Sequence, residues 1–71
     1  MFVVVSAWAE YDSVVITTHF GDESHDECVR FVMEKLLPEH DEVEEYEEEW
    51  CCNPYGESPV TIVIQKIPCN S

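Results

Sequence analysis

The sequence predicts a small α+β domain with the order β-β-α-β-β, in which one helix packs across an antiparallel sheet. Three observations predict it: blocks of β-branched residues at both ends of the chain, one segment of helical periodicity between them, and a strong turn signal near residue 54. A length of 71 residues suits a single domain, residues 1–71, with a modest core. Hydrophobic residues make up 45% of the chain and cluster in blocks, which argues against disorder.

The first two elements are predicted to be strands. Residues 2–8 are rich in Phe, Val and Trp, and residues 13–20 are rich in β-branched residues, which favour strands. The stretch "AEYDS" between them is typical of a turn, so the simplest arrangement is an antiparallel hairpin.

A helix is predicted to follow Gly21. Ser24 and Glu27 have the spacing of a capping box, in which both side chains satisfy free backbone N–H groups at a helix start. Pro38 disfavours helical geometry at the residue before it, so the helix is expected to end at Leu37. The apolar stripe expected to lie on the sheet consists of Val29, Val32, Met33 and Leu36.

The segment "DEVEEYEEEW", residues 41–50, combines seven carboxylates with three large apolar residues. As a helix it would place Val43, Tyr46 and Trp50 near one face, and glutamate favours helices. As a strand it would pair with the clear strand at 60–67 across the turn signal "NPYG". The turn signal favours the strand, and the helix remains the alternative.

The charge of the chain limits its partners. Sixteen acidic residues oppose three basic ones, which gives a net charge of −13. Nucleic acids and anionic membrane surfaces would repel such a chain, so we expect it to bind neither and to have basic partners instead. No apolar run approaches the roughly 20 residues of a membrane span, and no basic region precedes the first apolar run as in a signal peptide. We therefore expect a cytoplasmic protein whose cysteines, Cys28, Cys51, Cys52 and Cys69, are free thiols.

Catalytic and metal sites find little support in the sequence. His25 and Cys28 are three residues apart and could share an ion with Cys51 and Cys52, but paired Cys-x-x-Cys ligands are missing. The glutamates before Cys51 and Cys52 should raise the thiol pKa values and make these cysteines unreactive. No pair of carboxylates stands out for acid–base catalysis, and a glycine-rich phosphate loop is absent. The sequence predicts no catalytic residue, no metal ligand, no cofactor and no enzyme.

The acidic segment itself is the best functional signal. A strand rises about 3.3 Å per residue, close to the roughly 3.4 Å between phosphates along one DNA strand. A glutamate-lined strand therefore presents charge at nearly the linear density of a DNA backbone and would compete with DNA for a basic groove. Trp50 and Tyr55, close to these charges, would add apolar contacts that DNA lacks.

In size, charge and the stretch "EHDEVEEYEEEW", the chain resembles the small phage-encoded DNA-mimic proteins of host takeover, and among them most closely an inhibitor of the nucleoid protein HU. The resemblance implies that the acidic surface occupies the DNA-binding cleft of a basic host protein, in the host cytoplasm or nucleoid, and displaces DNA. The residues assigned to this surface are Glu42, Glu44, Glu45, Glu47, Glu48 and Glu49, with Asp22, Asp26 and Glu27 as a second patch and Trp50 as an apolar contact.

A non-enzymatic interaction adaptor, whose acidity serves solubility only, is the alternative. It would bind through an apolar sheet face or an exposed edge strand. One helix cannot cover both sides of a sheet whose strands are apolar on both faces, so a homodimer formed through the uncovered face is a further expectation.

Overall fold

A computed structural model describes residues 1–56 and 58–68 of the chain. The strands and the α-helix follow in the order β1 (Phe2–Glu10), β2 (Ser13–Asp22), α1 (His25–Phe31), β3 (Val43–Tyr46), β4 (Glu49–Cys52) and β5 (Val60–Lys66). The five strands form one antiparallel sheet in the order β2-β1-β5-β4-β3. The α+β class is therefore confirmed, but the predicted β-β-α-β-β order is wrong because three strands, not two, follow the helix.

β1 and β2 form the predicted hairpin, and both strands run two residues further than the sequence indicated. The two-residue turn contains Tyr11, whose φ of 52° lies in the left-handed region. The pairing slips between Val4 and Val5, so that His19 has no partner of its own on β1. At this bulge the His19 ring reaches the side chain of Ser6, with 2.7 Å between Nε2 and Oγ.

The start of α1 carries only half of the predicted capping box. The Ser24 side chain accepts a hydrogen bond from the Glu27 N–H, at 3.4 Å, as expected. The return bond comes from a different residue, since the Ser24 N–H donates to Oδ1 of Asp22 at 2.8 Å. The Glu27 carboxylate instead lies 3.7 Å from the guanidinium of Arg30. Asp22 is thus a structural cap.

The helical path does not end at Leu37. A π-helical turn (Val32–Leu36) follows α1, and a 3-10 turn (Leu37–Glu39) follows that. Pro38 lies in the first turn of the 3-10 segment, where a missing backbone N–H costs little. The buried stripe also differs from the predicted one, because Met33 is 53% exposed while Cys28 is fully buried.

The acidic segment is a hairpin of its own, which we call the acidic hairpin (residues 43–52). It consists of β3, a turn at Glu47 and Glu48, and β4, and Val43 pairs with Cys52. In a single continuous strand Val43 and Trp50 would face opposite sides, because odd and even residues alternate. The two-residue turn brings both to the same side, where Trp50 is buried and Val43 packs against the core. Burial of both side chains favours the hairpin over the predicted single strand.

The core lies between the helical segment and one face of the sheet, the covered face. Val4 pairs with Ile64 and Ser6 with Ile62, so these residues line one side of neighbouring strands. Stacked rings of Phe20 and Phe31, with centroids 4.7 Å apart, join β2 to α1. The buried apolar cluster consists of Val4, Cys28, Val32, Trp50, Cys52, Ile62 and Ile64.

The opposite side of the sheet, the open face, changes character across its width. One row of paired residues runs Ile16, Ala7, Thr61, Cys51 and Glu44. Ile16 at its β2 end is 67% exposed, and the β3 end carries a carboxylate. The open face is therefore apolar over β1 and β2 and acidic over β3 and β4. Among the described residues, no helix is long and apolar enough to cross a membrane.

Candidate partner-binding surface

The acidic hairpin fixes its carboxylates to an edge of the sheet. By their pairing, Glu44 and Glu49 lie on the open face, and Glu45 lies beside Trp50 on the covered-face side. Glu47 and Glu48 form the tip. All of them are exposed except Glu44, which is half-buried. The predicted residues are thus brought together on an ordered element.

This arrangement changes the expected charge geometry. β3 has four residues, which span only about 13 Å at the usual rise. The carboxylates therefore wrap around both sides and the tip of a short hairpin, and the predicted line of charge along one long strand is wrong. Glu42 precedes the hairpin in an ordered loop, because its carbonyl accepts a 2.8 Å hydrogen bond from the Asn53 N–H. The acidic surface is a curved edge of the sheet.

His25 joins the hairpin tip to the start of α1. Its Nε2 atom is buried and lies 3.5 Å from Oε1 of Glu48 without forming a hydrogen bond to it, and its ring meets Phe2 edge-on, with centroids 5.2 Å apart. The exposed carboxylate of Asp26 follows directly in the chain. The two acidic patches, which belong to separate segments of the sequence, therefore adjoin at one end of the sheet. Sequence reasoning considered His25 only as a metal ligand, because nothing local shows that Glu48 folds back onto it.

Glu48 adopts an unusual backbone conformation, with a φ of 57°. A residue with a Cβ atom adopts this left-handed conformation at a cost of about 1 kcal/mol, and glycine avoids that cost. The hairpin tip therefore carries a carboxylate at a position where glycine would fit the backbone better.

Tyr46 holds the Glu44 carboxylate on the open face, and Tyr55 lies near the same carboxylate. The Tyr46 hydroxyl donates to Oε2 of Glu44 at 2.5 Å. Hydrogen bonding to Glu44, reinforced by its negative charge, raises the pKa of Tyr46 and also that of Tyr55. Both phenol rings are largely exposed. Tyr46 therefore lies outside the core, and the hairpin is anchored there by Trp50 and Val43.

The residues of the second patch, Asp22, Asp26 and Glu27, differ in how accessible their carboxylates are to a partner. Asp22 is half-buried and caps the helix, and Glu27 shares Arg30 with Glu34, whose carboxylate lies 3.3 Å from the guanidinium. Asp26 is exposed. Asp26 is therefore the member of this patch best placed for contact.

The two predicted apolar contacts, Trp50 and Tyr55, also differ in how exposed they are. Trp50 is only 3% exposed, so it supports the hairpin from inside and is not available to a partner. Its indole N–H is buried without a hydrogen-bond partner in the described part of the chain. Tyr55 is 85% exposed beside Glu44 and is available for contact.

The described cysteine side chains are buried or half-buried in the fold. Cys28, Cys51 and Cys52 are free, and Cys69 lies outside the described residues. Burial raises the pKa values of Cys28 and Cys52; for Cys28 a hydrogen bond with the Asp22 backbone opposes this effect, and the negative charges of Asp22 and Glu27 add to it. For Cys52 the cause is burial rather than the expected glutamates. Within residues 1–56 and 58–68, no group of three or more His, Cys, Asp and Glu side chains is arranged to hold a metal ion.

No protein-family model, curated protein or solved structure matches this chain.

Proposed function

We propose that this chain is a DNA-mimic inhibitor that binds the basic DNA-binding surface of a host DNA-binding protein and blocks its DNA binding. A nucleoid protein of the HU type is the favoured target, and host cytoplasm or nucleoid is the expected location. The observation that carries the proposal is that exposed carboxylates from two separate segments adjoin on ordered elements where His25 meets Glu48. A partner with a cationic cleft would meet fixed negative charges there, as it does on a nucleic-acid backbone.

The scarcity of compensating cations supports the proposal. The chain has three Lys and Arg residues against sixteen acids, and Arg30 is already paired with Glu27 and Glu34. Glu48 also keeps a carboxylate at a φ of 57°, where glycine would avoid the backbone cost.

The contact set follows from exposure and hydrogen bonding. Glu45, Glu47, Glu48 and Glu49 are the proposed primary contacts, with Glu42 and Asp26 on either side of them. Glu44 positions the neighbouring Tyr46 and Tyr55 side chains. Tyr55 supplies the apolar contact first assigned to Trp50. Asp22 and Glu27 contribute mainly to the negative electrostatic potential of the surface.

A charge reversal with a matched control tests the proposal. Glu49→Lys reverses a charge on the acidic hairpin, and Asp12→Lys makes the same change in the β1–β2 turn, at the opposite end of the sheet. A carboxylate about 4 Å from a partner cation contributes about 1 kcal/mol in water, and reversal turns attraction into repulsion. Glu49→Lys should therefore weaken binding to HU about tenfold or more, and Asp12→Lys should weaken it far less.

The assay is displacement of a labelled DNA duplex from HU at increasing salt. Binding of the chain should weaken steeply as salt rises, because the attraction is electrostatic. Equal loss of affinity in the two variants, or failure of the chain to displace the duplex from HU and from other basic DNA-binding proteins, would overturn the proposal.

The interaction adaptor stays as a second candidate because of one observation. Val14 and Ile16 are 65% and 67% exposed on the apolar half of the open face, beside the half-buried Val5 and Val63. An adaptor using this face, or a homodimer formed through it, would lose its partner in Ile16→Ser and keep it in Glu49→Lys and at high salt. The DNA mimic predicts the reverse, and sedimentation velocity at several concentrations tests the homodimer directly.

A further inference from the structure

An open pocket lies where the helical segment stops covering the sheet. It has a volume of about 480 Å³, within the range of roughly 300–1,000 Å³ typical of ligand sites. Trp8 and Val60, paired on neighbouring strands, form its apolar floor, and Leu36 from the π-helical turn forms one wall. The sheet is longer than the helical segment that packs on it, and the end of the covered face therefore stays accessible.

Polar groups line the same pocket. Ser6, only 4% exposed, is hydrogen-bonded to His19, which is fixed there by the bulge in β2. His40 stands on another side of the pocket, with its Nδ1 atom 3.5 Å from Nδ2 of Asn53. These groups sit above an apolar floor, an arrangement typical of sites that orient a mainly apolar group.

The carboxylates around the pocket define the charge of its occupant. Glu10 and Glu39, both exposed, belong to its lining. Glu39 also begins the acidic run that continues through Asp41 and Glu42. Ser58 belongs to this pocket and to the neighbouring recess formed by Asp41, Glu42 and Tyr55. The pocket is therefore continuous with the proposed partner-binding surface.

We propose that this pocket receives a large apolar side chain of the basic partner, flanked in the partner by lysine or arginine. The inference rests on the proposed function and adds the chemistry of the partner. The apolar floor fits the side chain, and the surrounding carboxylates fit its cationic neighbours. DNA offers its protein partner no such apolar pocket, and the pocket would distinguish a partner with such a side chain from other basic surfaces.

Two capped peptides test the pocket on the full chain. One is Lys-Lys-Phe-Lys-Lys and the other is Lys-Lys-Ser-Lys-Lys, so that only the central side chain differs. Binding is followed at low salt by the indole N–H signals of Trp8 and Trp50 in ¹H–¹⁵N spectra. We expect the phenylalanine peptide to bind at least about tenfold more tightly, because burial of a large apolar side chain contributes that much. It should also shift the Trp8 signal and leave that of the buried Trp50 in place.

A variant that narrows the pocket completes the test. Ser58→Trp places an indole at an exposed wall position, and Thr18→Trp makes a similar change on the open face, away from the pocket. The preference for phenylalanine should disappear in Ser58→Trp and persist in Thr18→Trp. Equal affinity for both peptides, or a preference for phenylalanine without a shift of the Trp8 signal, would overturn the proposed role of the pocket. The proposed role of the acidic surface would be unaffected. Failure of both peptides to bind, in a chain that still displaces DNA from HU, would overturn this inference alone, whereas failure to displace DNA as well would overturn the proposed function and this inference with it.

Discussion

The two isoleucines on opposite faces of the sheet give a quantitative test of the architecture. Ile62, in β5, is 1% exposed and belongs to the buried cluster, whereas Ile16, in β2, is 67% exposed on the open face. Ile62→Ala and Ile16→Ala remove the same atoms from the two sides of one sheet. Any difference in their effect therefore reports burial and not residue type.

The expected magnitudes follow from that burial. Isoleucine to alanine deletes three carbons, each worth about 0.8 kcal/mol when buried, which gives about 2.4 kcal/mol for Ile62 before any cavity term. The cavity left in the core adds to this, so we expect a loss of about 3–4 kcal/mol. Only about a third of Ile16 is removed from water, so its loss should be about 0.8 kcal/mol. A domain of this length has a total stability of roughly 4–10 kcal/mol, so Ile62→Ala removes a large part of it.

Urea unfolding followed by tryptophan fluorescence measures both variants at low micromolar concentration. Similar losses from Ile62→Ala and Ile16→Ala would refute the assignment of the two faces. A large loss from Ile16→Ala that grows with protein concentration would instead show that the open face is covered by a second copy.

Two further predictions concern the acidic hairpin. Replacing Glu44 by Gln removes the carboxylate whose hydrogen bonding and negative charge raise the pKa values of Tyr46 and Tyr55, so both phenols should ionise at lower pH, and ultraviolet titration near 295 nm measures this. Because the folded-state pKa values are raised, the stabilisation by these hydrogen bonds should persist up to about pH 10 and be lost as the pH rises through the raised values; unchanged titration in the variant would contradict the tyrosine contacts. Replacing Glu48 by Gly relieves a φ of 57° and should leave the free energy of unfolding equal or higher by up to about 1 kcal/mol, while binding to HU weakens. A clear loss of stability in calorimetry would instead give Glu48, through His25, a structural role.

The sequence could predict elements whose signals are local. The β-branched runs of β1, β2 and β5 indicated strands because such residues suit a pleated sheet, and Ser24 marked the helix start because its side chain can accept from a nearby N–H. The position of the "NPYG" turn was also readable, and the Gly56 N–H donates to the Asn53 carbonyl at 2.9 Å. Asn53 has a positive φ of 53° in this turn, whereas the φ of Gly56 is not positive.

The acidic hairpin could not be predicted in this way. Glu47 and Glu48 carry no turn signal, since neither is a residue that favours left-handed geometry. The turn forms there because it allows Val43 and Trp50 to enter the same core, and that core is built by β1, β5 and α1. The requirement is a property of the assembled sheet, so a single segment does not reveal it.

The sequence by itself determined that this chain is acidic, that it has one small α+β core, and that its carboxylates are concentrated in two segments. These properties depend on composition and on neighbouring residues. Only the tertiary structure decided that the two segments meet at His25, that Trp50 is inside while Tyr55 is outside, and that a pocket opens beside Glu39. Those outcomes depend on strand register and on how far the helical segment reaches along the sheet, both of which are set by the burial of side chains distant in sequence.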